Sequence, residues 1–202
     1  MKKKKIGIMG GTFNPIHIGH LILGQTALEQ FQLDKVLFMP TKNPPHKSCD
    51  HILDDAVRAE MVGIAIKGNP NFELSTFEMD RVGITYTADT LFQLTKQNPD
   101  EEYYFIVGAD SLFYIDRWKD PVTIFKLSKL LAAVRGQKSN KEMLQKIAEL
   151  NETFHASVDL LNSPNIDISS TEIRELAKNG MDIQYYVTPN VAKYIQKNNL
   201  YR

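Results

Sequence analysis

The sequence predicts an α/β fold, a doubly wound parallel sheet with helices on both faces, closed by short C-terminal helices. Three observations carry this. Short β-rich runs fall at residues 5–9, 35–39, 103–107 and 129–134, longer stretches of helical period separate them, and turn residues mark many of the changes between the two. Strands that alternate with helices pair in parallel, and the helices then cover the sheet.

The elements follow in chain order. Residues 2–5 are all lysine, a solvated basic lead-in to the first strand, Ile6-Gly7-Ile8-Met9. Gly10, Gly11, Asn14 and Pro15 make the turn into a helix at 18–30, where Ile18, Leu21, Ile22, Gln25, Leu28 and Glu29 recur at helical spacing. A second helix at 54–67 has Ala56, Val57, Ala59, Met61, Ile64 and Ala65 as its apolar face, and Asn69-Pro70-Asn71 ends it. A helix at 87–96 leads through Asn98-Pro99-Asp100 into the third strand. Residues 141–151 read as a mostly polar helix, and 169–178 and 190–197 as two short ones parted by Asn179-Gly180.

With 202 residues, 43% of them hydrophobic, the chain can bury one sizeable core. It reads as a single domain, 1–202, whose C-terminal helical part begins at about residue 165. The 24 basic and 24 acidic residues cancel, so no net field draws it to nucleic acid or an anionic membrane, and neither is an expected partner. No apolar run approaches the roughly 18 residues of a membrane helix, and the lysine run has no signal-peptide sequel. One cysteine, Cys49, fits a reducing compartment, so the expected location is cytoplasmic. A homo-oligomer is possible.

Three motifs can carry chemistry. In Gly10-Gly11-Thr12-Phe13-Asn14-Pro15-Ile16-His17-Ile18-Gly19-His20, paired glycines end a strand, so backbone can approach a ligand, and the helix start offers N–H groups to an anion. His17 and His20 lie three apart, on one face, and Gly19 leaves room for a bulky group against the backbone. The alternative is that such histidines cap or pack locally. Late in the chain, Ile168-Ser169-Ser170-Thr171-Glu172-Ile173-Arg174 has capping-box spacing from Ser169 to Glu172 and a cation, Arg174, one turn in. Val107-Gly108-Ala109-Asp110 ends a central strand, where Asp110 either meets a ribose or caps a helix at 111–115. Neither a G-x-x-x-x-G-K-[ST] loop nor a G-x-G-x-x-G fingerprint is present.

The Gly-Thr-Phe-Asn-Pro-x-His-x-Gly-His string resembles the signature of the nucleotidyltransferase superfamily, and Ser-Ser-Thr-x-Ile-Arg its second signature, in the same order. The resemblance implies a Rossmann-like sheet and adenylyl transfer from ATP with Mg²⁺. It further implies that His17, His20 and Arg174 attend the phosphates, with Gly10, Gly11, Thr12, Phe13, Ile168, Ser169 and Ser170 in the ATP site. No metal ligand is assigned to a protein side chain.

The acceptor is read from other segments. Thr41, Lys42, Asn43, His46 and Lys47 follow the second strand, Thr85, Tyr86 and Thr87 open a helix, Arg117 precedes Trp118, the sole tryptophan, and Arg135 follows the fourth strand. Together with Asp110 these resemble the bacterial nicotinate mononucleotide adenylyltransferase family. That implies nicotinate mononucleotide as acceptor, bound by these residues other than Arg117. Asp110 would hold ribose, Trp118 would stack on the pyridine, and the backbone around Thr85 would take the carboxylate. A structural role for Trp118 is the alternative. Rival readings are an adenylyltransferase acting on nicotinamide mononucleotide or phosphopantetheine, a nucleotide sensor without catalysis, and a metal site from His46, Cys49 and His51.

Overall fold

The computed structural model describes residues 2–42, 52–133 and 140–202. Six parallel strands, β1 (Lys4–Gly11), β2 (Lys35–Pro40), β3 (Phe72–Leu74), β4 (Glu101–Gly108), β5 (Ser128–Ala133) and β6 (Val158–Leu161), form one sheet in the order β3-β2-β1-β4-β5-β6. This is the doubly wound Rossmann order. The chain winds outward from β1 to β3, then crosses to β4 on the other side of β1 and winds out the other way, leaving a crevice beyond the carboxyl ends of β1 and β4.

Eight helices are described, α1 (Ile18–Gln30), α2 (Asp55–Ile66), α3 (Thr87–Gln97), α4 (Ala109–Leu112), α5 (Pro121–Leu127), α6 (Asn140–Phe154), α7 (Ser170–Lys178) and α8 (Pro189–Lys197). Strand side chains alternate between two cores, as period 2 requires. Val36, Phe38, Tyr104, Ile106 and Leu131 join α1, α2, α7 and α8 on one face. Ile6, Ile8, Tyr103, Phe105 and Leu130 join α3, α4, α5 and α6 on the other. Among the described residues, no helix is long and apolar enough to cross a membrane.

The four predicted strands and six predicted helices are all present, with ends shifted by a few residues. Two predicted helix faces need correction. On α1 the predicted stripe is only half-buried and Glu29 is exposed, while Gly24 and Ala27 are buried. Helix and sheet approach so closely that a Cβ on Gly24 would lie 2.8 Å from the Phe38 ring. On α2, Ala56 is exposed and the buried set is Arg58, Met61, Val62 and Ile66, a face that includes a charge. Besides α4, which begins near the helix offered as the alternative reading of Asp110, three elements were not predicted: the edge strands β3 and β6, too short for a periodic signal, and α5. The latter does have a legible start, since Asp120 precedes Pro121 and its carboxylate accepts the Thr123 N–H at 3.2 Å.

Candidate active site

The crevice is built first from the chain leaving β1. Phe13 takes a left-handed conformation (φ 47°) and is buried, so its ring lies edge-on beneath His20 with centroids 5.0 Å apart. The Thr41 N–H after β2 donates to the Gly11 carbonyl at 2.9 Å. Arg58 of α2 is wholly buried and donates to three carbonyls: Thr12 (2.7 Å), Leu53 (2.9 Å) and Lys42 (3.4 Å). It also pairs with Asp55. A buried guanidinium is tolerable when its donors are met, and here they tie together the segments that follow β1 and β2.

His17 is the extended N-cap of α1, and its ring lies over that of His20, centroids 3.7 Å apart at 32°. The His17 backbone N–H donates to His20 Nδ1 at 3.2 Å. An atom that accepts from an amide carries no proton, so neutral His20 has its hydrogen on Nε2 as a donor. Capping and ligand binding are thus compatible, and the cap sets the tautomer. The expectation for Gly19 is corrected: a Cβ there would meet His17 Nδ1 at 3.0 Å, so the room is taken by the neighbouring imidazole.

The second signature lies against the first. Ser170 Oγ donates to the Pro15 carbonyl (2.8 Å) and Arg174 donates to the Asn14 carbonyl (2.9 Å) and to Thr171 Oγ1 (3.2 Å). Ser169 caps α7 by accepting the Glu172 N–H at 3.1 Å, as its spacing predicts. Ile168 packs against the core beside α7, and it is absent from the described cavity lining.

Two cavities open at this end of the sheet. One, of about 770 Å³, is lined by Gly10 to Asn14, His17, His20, Asp110, Ser169 to Thr171 and Arg174. The other, of about 610 Å³, is lined by Thr41, Glu78, Thr85 to Thr87, Thr90, Arg117 and Lys119. They share the wall formed by Gly10, Gly11, Thr12, Phe105, Asp110, Ser111 and Trp118. Among the described residues, those expected at ATP other than Ile168, and Thr41, Thr85, Tyr86, Thr87, Asp110 and Trp118 of those expected at the acceptor, therefore line adjoining spaces. Among the described residues Asp110 is the only carboxylate lining the larger cavity, and no three His, Cys, Asp or Glu side chains converge into a metal cage.

On the acceptor side, Gly108 is the N-cap of α4, which removes the capping reading of Asp110; that side chain is exposed and faces both cavities. Trp118 is half-buried, edge-on to Phe105 at 6.3 Å, with Lys119 beside it reaching Asp89 of α3 at 3.1 Å and lying over the Tyr86 ring at 4.2 Å. That lysine closes the Trp118 turn onto the start of α3. Lys42 instead donates to the Arg81 carbonyl at 3.0 Å. Asn43, His46, Lys47 and Arg135 lie outside the described residues, as do Cys49 and His51.

Glu78 has no motif to announce it. It is buried, lines the smaller cavity, and accepts from Thr90 (2.8 Å) and Thr85 (3.4 Å). Burial pushes its carboxyl above the ordinary value, against those hydroxyls and the Arg81 charge.

Comparison with known proteins agrees with this geometry. The cytidylyltransferase-like family matches residues 8–176. The chain is 44% identical over 198 residues to a probable nicotinate-nucleotide adenylyltransferase of Lachnoclostridium phytofermentans, covering 98% of this chain and 99% of that one. It is 41% identical to the Clostridium botulinum protein of the same description, covering 98% of each. Plasmodium falciparum nicotinic acid mononucleotide adenylyltransferase, solved in complex with NaAD, superposes with a TM-score of 0.80 at 25% identity, over 98% of this chain and 97% of that one. Two signatures hydrogen-bonded to each other at the mouth of a doubly wound sheet, and full-length similarity on top of them, show that the chain belongs to the cytidylyltransferase-like nucleotidyltransferases and, within them, to the nicotinate-nucleotide adenylyltransferase family.

Proposed function

We propose that the protein transfers the adenylyl group of ATP to nicotinate mononucleotide, forming nicotinate adenine dinucleotide and pyrophosphate in NAD biosynthesis. The observation that carries this is the shared wall between a histidine-lined cavity and one bounded by Trp118 and the start of α3. Two nucleotides can lie there with their phosphates meeting at Gly10, Gly11 and Thr12.

In the reaction, a 5′-phosphate oxygen of the acceptor attacks the α-phosphorus of ATP in line. The new P–O bond forms as the bond to pyrophosphate breaks, and the departing oxygen keeps the electron pair. No protein nucleophile takes part. His17 and His20 donate to phosphoryl oxygens as charge builds, and Arg174 with the start of α7 receives the β- and γ-phosphates. Asp110 accepts from ribose hydroxyls. Mg²⁺ would accompany ATP and, when bound, would neutralise charge on the departing pyrophosphate, with no protein side chain assigned to hold it.

The first N–H groups of α3 receive the nicotinate carboxylate, with the indole of Trp118 against the pyridinium. A carboxamide would turn N–H against N–H there, which favours the acid. Asn43, His46, Lys47 and Arg135, placed by sequence after β2 and β5, contact the acceptor's phosphate. The single cysteine fits the cytoplasm as the place of reaction.

The test is pyrophosphate release with ATP and Mg²⁺ on nicotinate mononucleotide, nicotinamide mononucleotide and phosphopantetheine. We expect turnover with the first, and at least about tenfold less kcat/KM with the second. Equal use of the first two removes the selectivity assignment; preference for phosphopantetheine removes the acceptor.

A further inference from the structure

The strongest feature left unused by this reaction scheme is a hydrogen-bonded ring beneath the phosphate loop. Asn14 is 4% exposed, and it is one of the residues that line the larger cavity. Its Oδ1 accepts the Tyr201 hydroxyl at 3.0 Å and the Leu53 N–H at 3.4 Å, while its backbone carbonyl accepts from Arg174. The Leu53 carbonyl in turn accepts from Arg58, which also holds Thr12. The ring therefore runs from Asn14 to Leu53, to Arg58, to Thr12 and back along the chain to Asn14. Tyr201 is its brace from outside.

The tail after α8 is shaped to reach this point. Asn199 and Tyr201 both adopt left-handed conformations (φ 50° and 67°), and the Leu200 N–H turns back to the Ile195 carbonyl at 3.0 Å. Leu200 and Tyr201 then pack against the core that α8 helps to form. The phenol proton is well held, since burial raises its pKa against the charges of Arg174 and Arg58.

We propose that Tyr201 is a positioning residue for ATP: through Asn14 it fixes the 12–14 loop relative to residues 52–53, and so the backbone against which the triphosphate lies. This rests on the reading of the larger cavity as the ATP site. Loop geometry matters because transfer depends on alignment of the α-phosphorus, and small misplacements lower the rate steeply. The acceptor cavity includes Thr12 but neither Phe13 nor Asn14, so the brace acts more strongly on the triphosphate than on the acceptor.

The test compares Tyr201→Phe with Tyr194→Phe, which removes an exposed hydroxyl bonded to Glu60 at 2.7 Å, away from the loop. Calorimetry gives the affinity and stoichiometry of α,β-methylene-ATP with Mg²⁺ and, separately, of nicotinate mononucleotide; steady-state rates give kcat. For Tyr201→Phe we expect about fivefold weaker binding of the ATP analogue and a lower kcat, with stoichiometry unchanged and a smaller loss of acceptor affinity. Tyr194→Phe should match the parent. Asn14→Ala removes the hydrogen-bond acceptor of both Tyr201 and Leu53 and should show a defect at least as large, with the double variant no worse than Asn14→Ala alone.

Unchanged analogue affinity in Tyr201→Phe overturns the proposal. So does an equal loss for both ligands, or a fall in stoichiometry at constant affinity, either of which marks a folding role. If the parent protein itself fails to bind the analogue, the ATP site is misassigned and the proposal falls with it, before any variant is made.

Discussion

At the scale of single residues, the fixed tautomer of His20 gives the sharpest prediction. Its Nδ1 is committed to the His17 N–H, so in the proposed reaction it is the Nε2 hydrogen that would meet a phosphoryl oxygen. His20→Ala removes a donor that matters most when charge has accumulated, and should lower kcat by about 10²–10³ while changing the affinity for α,β-methylene-ATP far less. Equal losses in both would assign His20 to ground-state binding. Glu78 gives a pH signature. Its folded carboxyl lies above the ordinary 4.5, so on raising the pH the unfolded chain loses this proton first. The contribution is present below that value and is lost as pH rises through the folded pKa, after which it is flat. Glu78→Gln has no such group, so its stability relative to the parent should climb across that window and then level off, read from urea midpoints at successive pH. A constant offset would contradict the burial argument. The histidines were legible because their spacing follows a strand and a glycine pair. Glu78, Arg58 and Lys119 were not, since each acquires its partners only through tertiary contact.

At the scale of elements, what the sequence discloses depends on whether an element is stabilised by its own pattern. Helix α3 shows its periodicity plainly, while β3 and β6, of three and four residues, are strands only because β2 and β5 present edges to them. Helix α1 was legible in extent but not in face, because its contact with the sheet uses Gly24, which has no side chain to count. Helix α5 depends on one residue at its start. Asp120 holds both a left-handed backbone (φ 49°) and the Thr123 N–H, and Ala does neither well. Asp120→Ala should therefore destabilise the protein, read as a lower midpoint in denaturant unfolding. Asp120→Asn, which tolerates the same backbone and still accepts, should recover most of that loss. If Asn is as harmful as Ala, the charge beside Lys119 and not the cap is what α5 needs.

At the scale of the whole molecule, the strand order decides the chemistry that is possible. Composition and period point to a parallel sheet, but nothing local says that β4 lies beside β1, and it is this crossing that sets Gly10, Gly11, Asp110 and Trp118 around one crevice. Most of the described residues predicted for two ligands come from segments far apart in the chain and line two spaces with a common wall. Both ligands can then be bound at once, which makes a relay through the protein unnecessary. Direct transfer predicts initial-rate lines that intersect when ATP and nicotinate mononucleotide are varied together, and inversion at phosphorus when the α-phosphate carries a chiral sulfur. It also predicts that ATP and Mg²⁺ alone release no pyrophosphate on mixing. A burst stoichiometric with enzyme in the absence of acceptor, or retention at phosphorus, would mean that an adenylyl-enzyme forms. His17 and His20 would then be nucleophile candidates, against the donor role that their hydrogen bonding supports.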